Sequence, residues 1–181
     1  MLINLIFKLI NRITIIMKLV IGIDPGSRIT GFGIVGISQN RYKYIDSGCI
    51  KTGVSSDIPV ASRLKIIYSS VSELINKYKP YQMAIEQVFV NKNVQSALKL
   101  GQARGVAMLA ASMDDIPVFE YAPRKIKQAI VGTGAADKKQ MQHMVTSILQ
   151  LSSQPQEDAA DALAIAICHL NTQKYLNTYK L

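Results

Sequence analysis

The stretch from Lys18 to Ile37, KLVIGIDPGSRITGFGIVGI, constrains the fold more than any other part of the chain. Leu19 to Ile23 is an apolar run rich in Val and Ile, as in a buried strand, and it ends in a carboxylate, Asp24, before a Pro-Gly-Ser break. A second apolar run, Thr30 to Ile37, follows at once, so the pair reads as a hairpin whose turn holds Pro25, Gly26, Ser27 and Arg28. An acid is thereby left at the mouth of a hydrophobic strand. Glycines at 31, 33 and 36 would let another chain's backbone or a phosphate approach closely. The same stretch also fits a plain tight turn that Asp24 merely begins, and the rest of the chain has to decide.

A length of 181 residues with 49% hydrophobic content suits one domain with a full-sized core and excludes large-scale disorder. The formal charge of +9, from 21 basic and 12 acidic residues, favours a polyanionic partner: nucleic acid or an anionic membrane face. Cys49 and Cys168 show neither CxxC nor Cys/His spacing, which argues against a disulfide framework or zinc site and fits a reducing cytoplasm. The leader MLINLIFKLINRITII is too interrupted by polar residues to span a bilayer. It lacks a small-residue cleavage site, so Met17 is the expected natural start and residues 1–16 a non-core extension. Without Lys8 and Arg12 the formal charge falls only from +9 to +7.

After the hairpin, Arg41 to Ile50 alternates as a third strand, and a helix of roughly twenty residues follows Pro59, with Leu64, Ile67, Val71, Leu74 and Ile75 at helical spacing. Tyr81 to Ile85 reads as a buried strand ending at Glu86, a second carboxylate at a strand's end. The loop Gln87 to Asn93 offers Phe89 and Lys92. A long helix over 94–112 carries Gly101 and Gly105, whose spacing suits either packing on the sheet or a subunit interface. Pro117 to Tyr121 is the fifth strand; the segment PRKIKQAIV, a Gly132-Thr133-Gly134 turn and a helix over 136–149 come next. Arg124, Lys125, Lys127, Lys138 and Lys139 cluster around that turn, as a solvated face or as phosphate contacts. The last helix, EDAADALAIAICH, places Asp158 and Asp161 on one face, and residues 171–181 form a polar tail expected to fray. His143 and His169 lie on apolar helical segments and are expected as core histidines without a catalytic role.

This order predicts an α/β fold, a mixed five-stranded sheet flanked by helices and spanning residues 17–170. If the first and fourth strands are neighbours, Asp24 meets Glu86, and the final helix can bring Asp158 and Asp161 to the same place. Acids in a first helical turn are favoured by the helix dipole alone, but two like charges on an otherwise Ala, Ile and Leu helix call for a cation. Clustered carboxylates need divalent metal or protons, and oxygen-only donors select Mg2+, with Mn2+ as a substitute. Two such ions about 4 Å apart can activate a water against a phosphodiester, the chemistry of a nuclease.

The segments GIDPGSRITGFGI, AIEQVF, SALKLGQARGVAM, PVFEYAPRKIKQ and QEDAADALAIAICH, in this order between Met17 and His169, resemble the RuvC family of Holliday-junction resolvases. The resemblance implies a ribonuclease H-like fold with the family's catalytic carboxylates at Asp24, Glu86, Asp158 and Asp161, all acidic here. It further implies a Mg2+-dependent homodimer that binds four-way DNA junctions by shape and nicks two opposed strands symmetrically, leaving 5′-phosphate and 3′-hydroxyl ends. Contact with the RuvA–RuvB branch-migration complex is implied as well. Phe89 matches an aromatic that the family places at the junction; Arg28, Lys92, Arg124, Lys125, Lys127, Lys138 and Lys139 are the expected further DNA contacts, and no membrane partner is expected. Two other readings compete. An actin-like or sugar-kinase-like ATPase shares the glycine-bearing first hairpin but needs a duplicated core that 181 residues do not accommodate, and a catalytically silent DNA-binding protein leaves the placed acids unexplained.

Overall fold

The computed structural model describes residues 17–39, 41–53, 58–88 and 94–178; the leader and the expected contacts Phe89 and Lys92 lie outside these residues. Strands β1 (Lys18–Asp24), β2 (Ile29–Ser38) and β3 (Arg41–Lys51) form an antiparallel meander. Helix α1 (Val60–Tyr78) leads to β4 (Gln82–Glu86), and α2 (Val94–Ser112) leads to β5 (Val118–Tyr121). Both β4 and β5 lie parallel to β1, giving a mixed five-stranded sheet of order β3-β2-β1-β4-β5. Helices α3 (Pro123–Val131), α4 (Lys138–Ile148) and α5 (Glu157–Thr178) complete the chain.

Alternation along the strands divides the core in two. Ile21, Ile23, Ile34, Met83 and Ile85 face α1 and α2, where Ile67, Val71, Ile75, Ala103 and Ala107 meet them. Val20, Val35 and Ala84 face the other way, toward α5 and its cover of α3 and α4. This explains why α5 is apolar all round: Ala162 to Leu170 is buried between the sheet and two helices.

The hairpin glycines serve this packing. A Cβ at Gly22 would stand 2.1 Å from the Ala162 carbonyl oxygen, one at Gly31 1.9 Å from that of Asp158, and one at Gly33 2.8 Å from the Leu163 nitrogen. The backbone that the glycines admit is thus α5 of the same chain, where another chain or a phosphate was the expectation; Gly36 instead covers Met17. A helix lying this close delivers its acids to the strand ends.

Other expectations need adjustment. PRKIKQAIV, left without an element by the sequence alone, folds as α3, with proline at its start, Ile126 and Ile130 one turn apart inward, and Gly132 (φ 82°) as its left-handed C-cap. The tail expected to fray from residue 171 is helical to Thr178, because no Gly or Pro interrupts α5. His143 is exposed, not in the core: the buried stripe of α4 runs through Met141 and Val145, and a residue two positions on from Met141 points away from it. His169 is fully buried as expected, with Nδ1 2.8 Å from the Tyr121 hydroxyl and Nε2 2.7 Å from Gln82 Oε1. Burial pushes its pKa down to about 4, so a neutral ring donates from Nε2 to Gln82 and accepts from Tyr121.

Candidate active site

Asp24 closes β1 and Glu86 closes β4, and the parallel register Ile23↔Ile85 sets the two carboxylates side by side just past the last paired residues. In an open sheet with parallel strands, this carboxyl-terminal edge is where ligands bind. The turn after Asp24 is pinned by two buried threonines. Thr30 Oγ1 donates to the Gly26 carbonyl at 2.8 Å, while Thr52 Oγ1 donates to that of Ser27 at 3.0 Å. Behind Glu86, the Gln87 N–H donates to the Tyr121 carbonyl at 2.9 Å, tying the strand end to β5.

Helix α5 brings Asp158 in its first turn and Asp161 one turn deeper. Asp24, Glu86 and Asp161 line one cavity of about 310 Å³, closed by Pro123, Ile126, Lys127, Lys138, Met141 and Ile165. Asp158 does not line the cavity but stands close enough for its charge to act on Asp24 and Asp161.

The cluster bears the electrostatic marks of crowding. Burial first, then the charges of Glu86, Asp161 and Asp158, push the Asp24 carboxyl up to about 8. Glu86 is pushed up to about 7 by burial and Asp161, with Lys127 acting in the opposite direction. Asp161 is raised by burial as well, against Lys138 and Lys127. Among the described residues none of these acids forms a salt bridge, and no three acidic, histidine or cysteine side chains stand close enough to chelate one ion. The donor set itself, several carboxylates with no histidine or cysteine among them, is what a hard divalent cation takes.

Of the basic residues singled out in the sequence, Lys127 and Lys138 face the acid cavity. Lys138 also bonds Glu157, which raises its pKa. Arg124, Lys125 and Lys139 are exposed and do not line the cavity, with Lys125 lying 5.0 Å above the Tyr121 ring. Arg28 lies elsewhere, in a pocket with Arg63 and Lys99, two cations that sequence reasoning passed over because each is a lone charge in an amphipathic helix.

The family model described as Crossover junction endodeoxyribonuclease RuvC matches residues 20–169. The chain is 60% identical over 164 residues to the crossover junction endodeoxyribonuclease RuvC of Pectobacterium carotovorum, covering 90% of this chain and 92% of that one. To the same enzyme of Vibrio cholerae it is 57% identical over 160 residues, 88% of this chain and 91% of the other. Thermus thermophilus RuvC in complex with Holliday junction substrate is similar at a TM-score of 0.81 and 32% identity, covering 87% of this chain and 96% of that one. The yeast mitochondrial Holliday junction resolvase, at 11% identity and a TM-score of 0.66 over 91% of this chain and 84% of its own, shares the fold.

Proposed function

The chain belongs to the RuvC family of crossover junction endodeoxyribonucleases, and from that membership we propose that it resolves four-way DNA junctions with Asp24, Glu86, Asp158 and Asp161 as its catalytic carboxylates. The observation that carries the assignment is one cavity at the ends of β1 and β4, into which strand and helix acids converge without a salt bridge among the described residues, their pKa values raised although Lys127 and Lys138 line the same cavity. Nuclease activity of this family uses divalent metal; Mg2+, two ions per site, with Mn2+ as a substitute, is the choice that an all-oxygen donor set favours. When bound, the ions supply an acidified water and neutralise charge on the leaving oxygen. Asp24, Glu86 and Asp161 in the cavity and Asp158 beside it would hold the ions, while Lys127 and Lys138 at the rim would draw the phosphate in and offset its charge. Family membership implies that water displaces the 3′ oxygen from phosphorus, which leaves a 5′-phosphate and a 3′-hydroxyl.

Paired symmetric nicks in a two-fold junction require two such sites, hence a homodimer. Helix α2 supports that reading: Val94, Leu98, Leu109 and Met113, all on α2 or just after it, are 59%, 63%, 52% and 66% exposed, and Gly101 and Gly105 face open space. Gly101 and Gly105 are thus turned away from the sheet, which the helix meets through Ala103, Ala107, Ala110 and Ala111. Phe89 is proposed to stack at the junction beside the cut, with Lys92 and the outer cations Arg124, Lys125 and Lys139 on more distant phosphates. RuvA–RuvB is the further partner proposed. No helix among the described residues is long and apolar enough to cross a membrane. The free cysteines suit the cytoplasm, the proposed location.

The test is single-turnover cutting of a synthetic four-way junction with and without Mg2+, beside a linear duplex of the same sequence and an ATP hydrolysis assay. Paired nicks in the junction alone, dependent on metal, are expected. Equal cutting of the linear duplex, or ATP turnover without cutting, overturns the reading.

A further inference from the structure

A second pocket, of about 230 Å³, opens at the same edge of the sheet on the face opposite α5. Its lining is Ser27 and Arg28 from the β1–β2 turn, Ile58, Val60, Arg63 and Leu64 around the start of α1, and Lys99 and Gln102 from α2. Three cations, an amide and a hydroxyl thus meet in one concavity, and no acid stands among its described lining residues. That is the donor set of a phosphate site: guanidinium forks, an ammonium point charge and neutral donors. Hydrogen bonds tie down the turn and Arg63. The Thr52 N–H donates to the Arg28 carbonyl at 3.0 Å, Thr52 Oγ1 donates to that of Ser27, and Arg63 Nε donates to the Ile58 carbonyl at 3.2 Å.

The position gives the pocket its meaning. Arg28 follows Asp24 by four residues, so their Cα atoms are at most about 14 Å apart. At roughly 3.4 Å of rise per nucleotide along a strand, that is within about four phosphates of one held at Asp24. Lys127 and Lys138 flank the carboxylates from the α5 side of the sheet, whereas this pocket flanks them from the α1 and α2 side. We propose that Arg28, Arg63 and Lys99, with Ser27 and Gln102, form a phosphate subsite that grips the DNA backbone a few nucleotides from the cut, so that the reacting strand is held on both sides of the carboxylates. The inference rests on the junction-nuclease reading and adds to it a binding site.

Metal-free junction binding of the full chain across a salt series tests it, comparing the parent with Arg28→Gln/Lys99→Gln, with Lys99→Gln alone, and with Lys65→Gln, an exposed α1 lysine outside the pocket. The double variant is expected to bind about tenfold more weakly, with a slope of log affinity against log salt shallower by about one to two. Lys65→Gln should keep the parent's affinity and slope. A single methylphosphonate, neutral, scanned over four positions either side of the nicked bond should weaken the parent at one position and leave the double variant unaffected there. A parent that neither binds nor cuts the junction sinks the junction reading. A parent that binds, with pocket variants that keep its affinity and slope or with an equal loss in Lys65→Gln, sinks the subsite alone.

Discussion

Asp24 sits at a strand end where burial and acid neighbours hold its proton to about pH 8, while a divalent metal arriving there needs the carboxylate form. Replacing any of the four acids by its amide removes one charge from a crowded site and keeps the shape. Asp24→Asn, Glu86→Gln, Asp158→Asn and Asp161→Asn should each lower single-turnover cutting of a saturated junction by about a thousandfold or more, since a misplaced or lost ion orients neither water nor leaving group. Metal-free junction affinity should hold or rise by up to about 1 kcal/mol per charge. Asp158 is the most informative position, because its side chain flanks the cavity without lining it. An Asp158→Asn protein that cuts at the parent rate would return that residue to its role as a helix-start acid.

Between elements, the critical spacing is that of α5 on the hairpin. Gly31→Ala would drive a Cβ to 1.9 Å from the Asp158 carbonyl oxygen, a contact with backbone that no rotamer change relieves. Overpacking of this kind costs about 2–3 kcal/mol, a fall in melting temperature of roughly 5–10 °C for a chain of this size. Any outward shift of α5 carries Asp158 and Asp161 with it, so cutting should fall more than the lost stability explains, by about a hundredfold for a 1 Å displacement. Gly31→Ala with parental melting and cutting would show that the helix rides up without consequence. Helix α2 makes the opposite case. A side chain at Gly105 meets nothing within 4 Å, so Gly105→Leu should leave the fold intact or slightly firmer. If α2 is the two-fold interface, sedimentation should show that variant as monomers with weak, unpaired nicking; a fully active dimer would move the interface elsewhere.

Over the whole molecule, the acid cluster sets a pH dependence of stability. Asp24 and Glu86 have pKa values raised to about 8 and about 7 in the folded chain, so the fold binds more protons than the unfolded chain between the ordinary carboxylate range and those values. Their contribution therefore destabilises the metal-free fold progressively as pH rises from about 4 to 8. Thermal melts in chelator should show this decline, and Asp24→Asn should flatten it, gaining on the order of 2 kcal/mol at pH 8. Mg2+ added at pH 8 should raise the parent's melting temperature more than that of Asp24→Asn, as expected of a ligand that binds only the folded state. A parent profile that Asp24→Asn leaves unchanged would mean that Asp24 is not the strained acid of the cluster.

Much of this was legible without the fold. Apolar runs bounded by Asp24 and by Glu86 mark strand ends because local periodicity encodes burial, and an Ala- and Ile-rich helix opening with acids signals a buried partner for the sheet. The mixed sheet followed from those patterns and from the family resemblance, and the same two sources supply the four proposed carboxylates. Tertiary structure alone decided what met what. Gly31 and Gly33 announce a close approach in the sequence, but only the antiparallel pairing of β1 with β2 and the seat of α5 show whose backbone arrives. Lys125 and Lys127 look alike in a run of charges, yet Lys127 lines the acid cavity while Lys125 lies over Tyr121, because two positions on a helix point to opposite sides. The same rotation puts His143 in solvent. Arg28, Arg63 and Lys99 are separated by long stretches of chain and converge only where a turn and two helices meet, a relation set by long-range packing that no local pattern encodes.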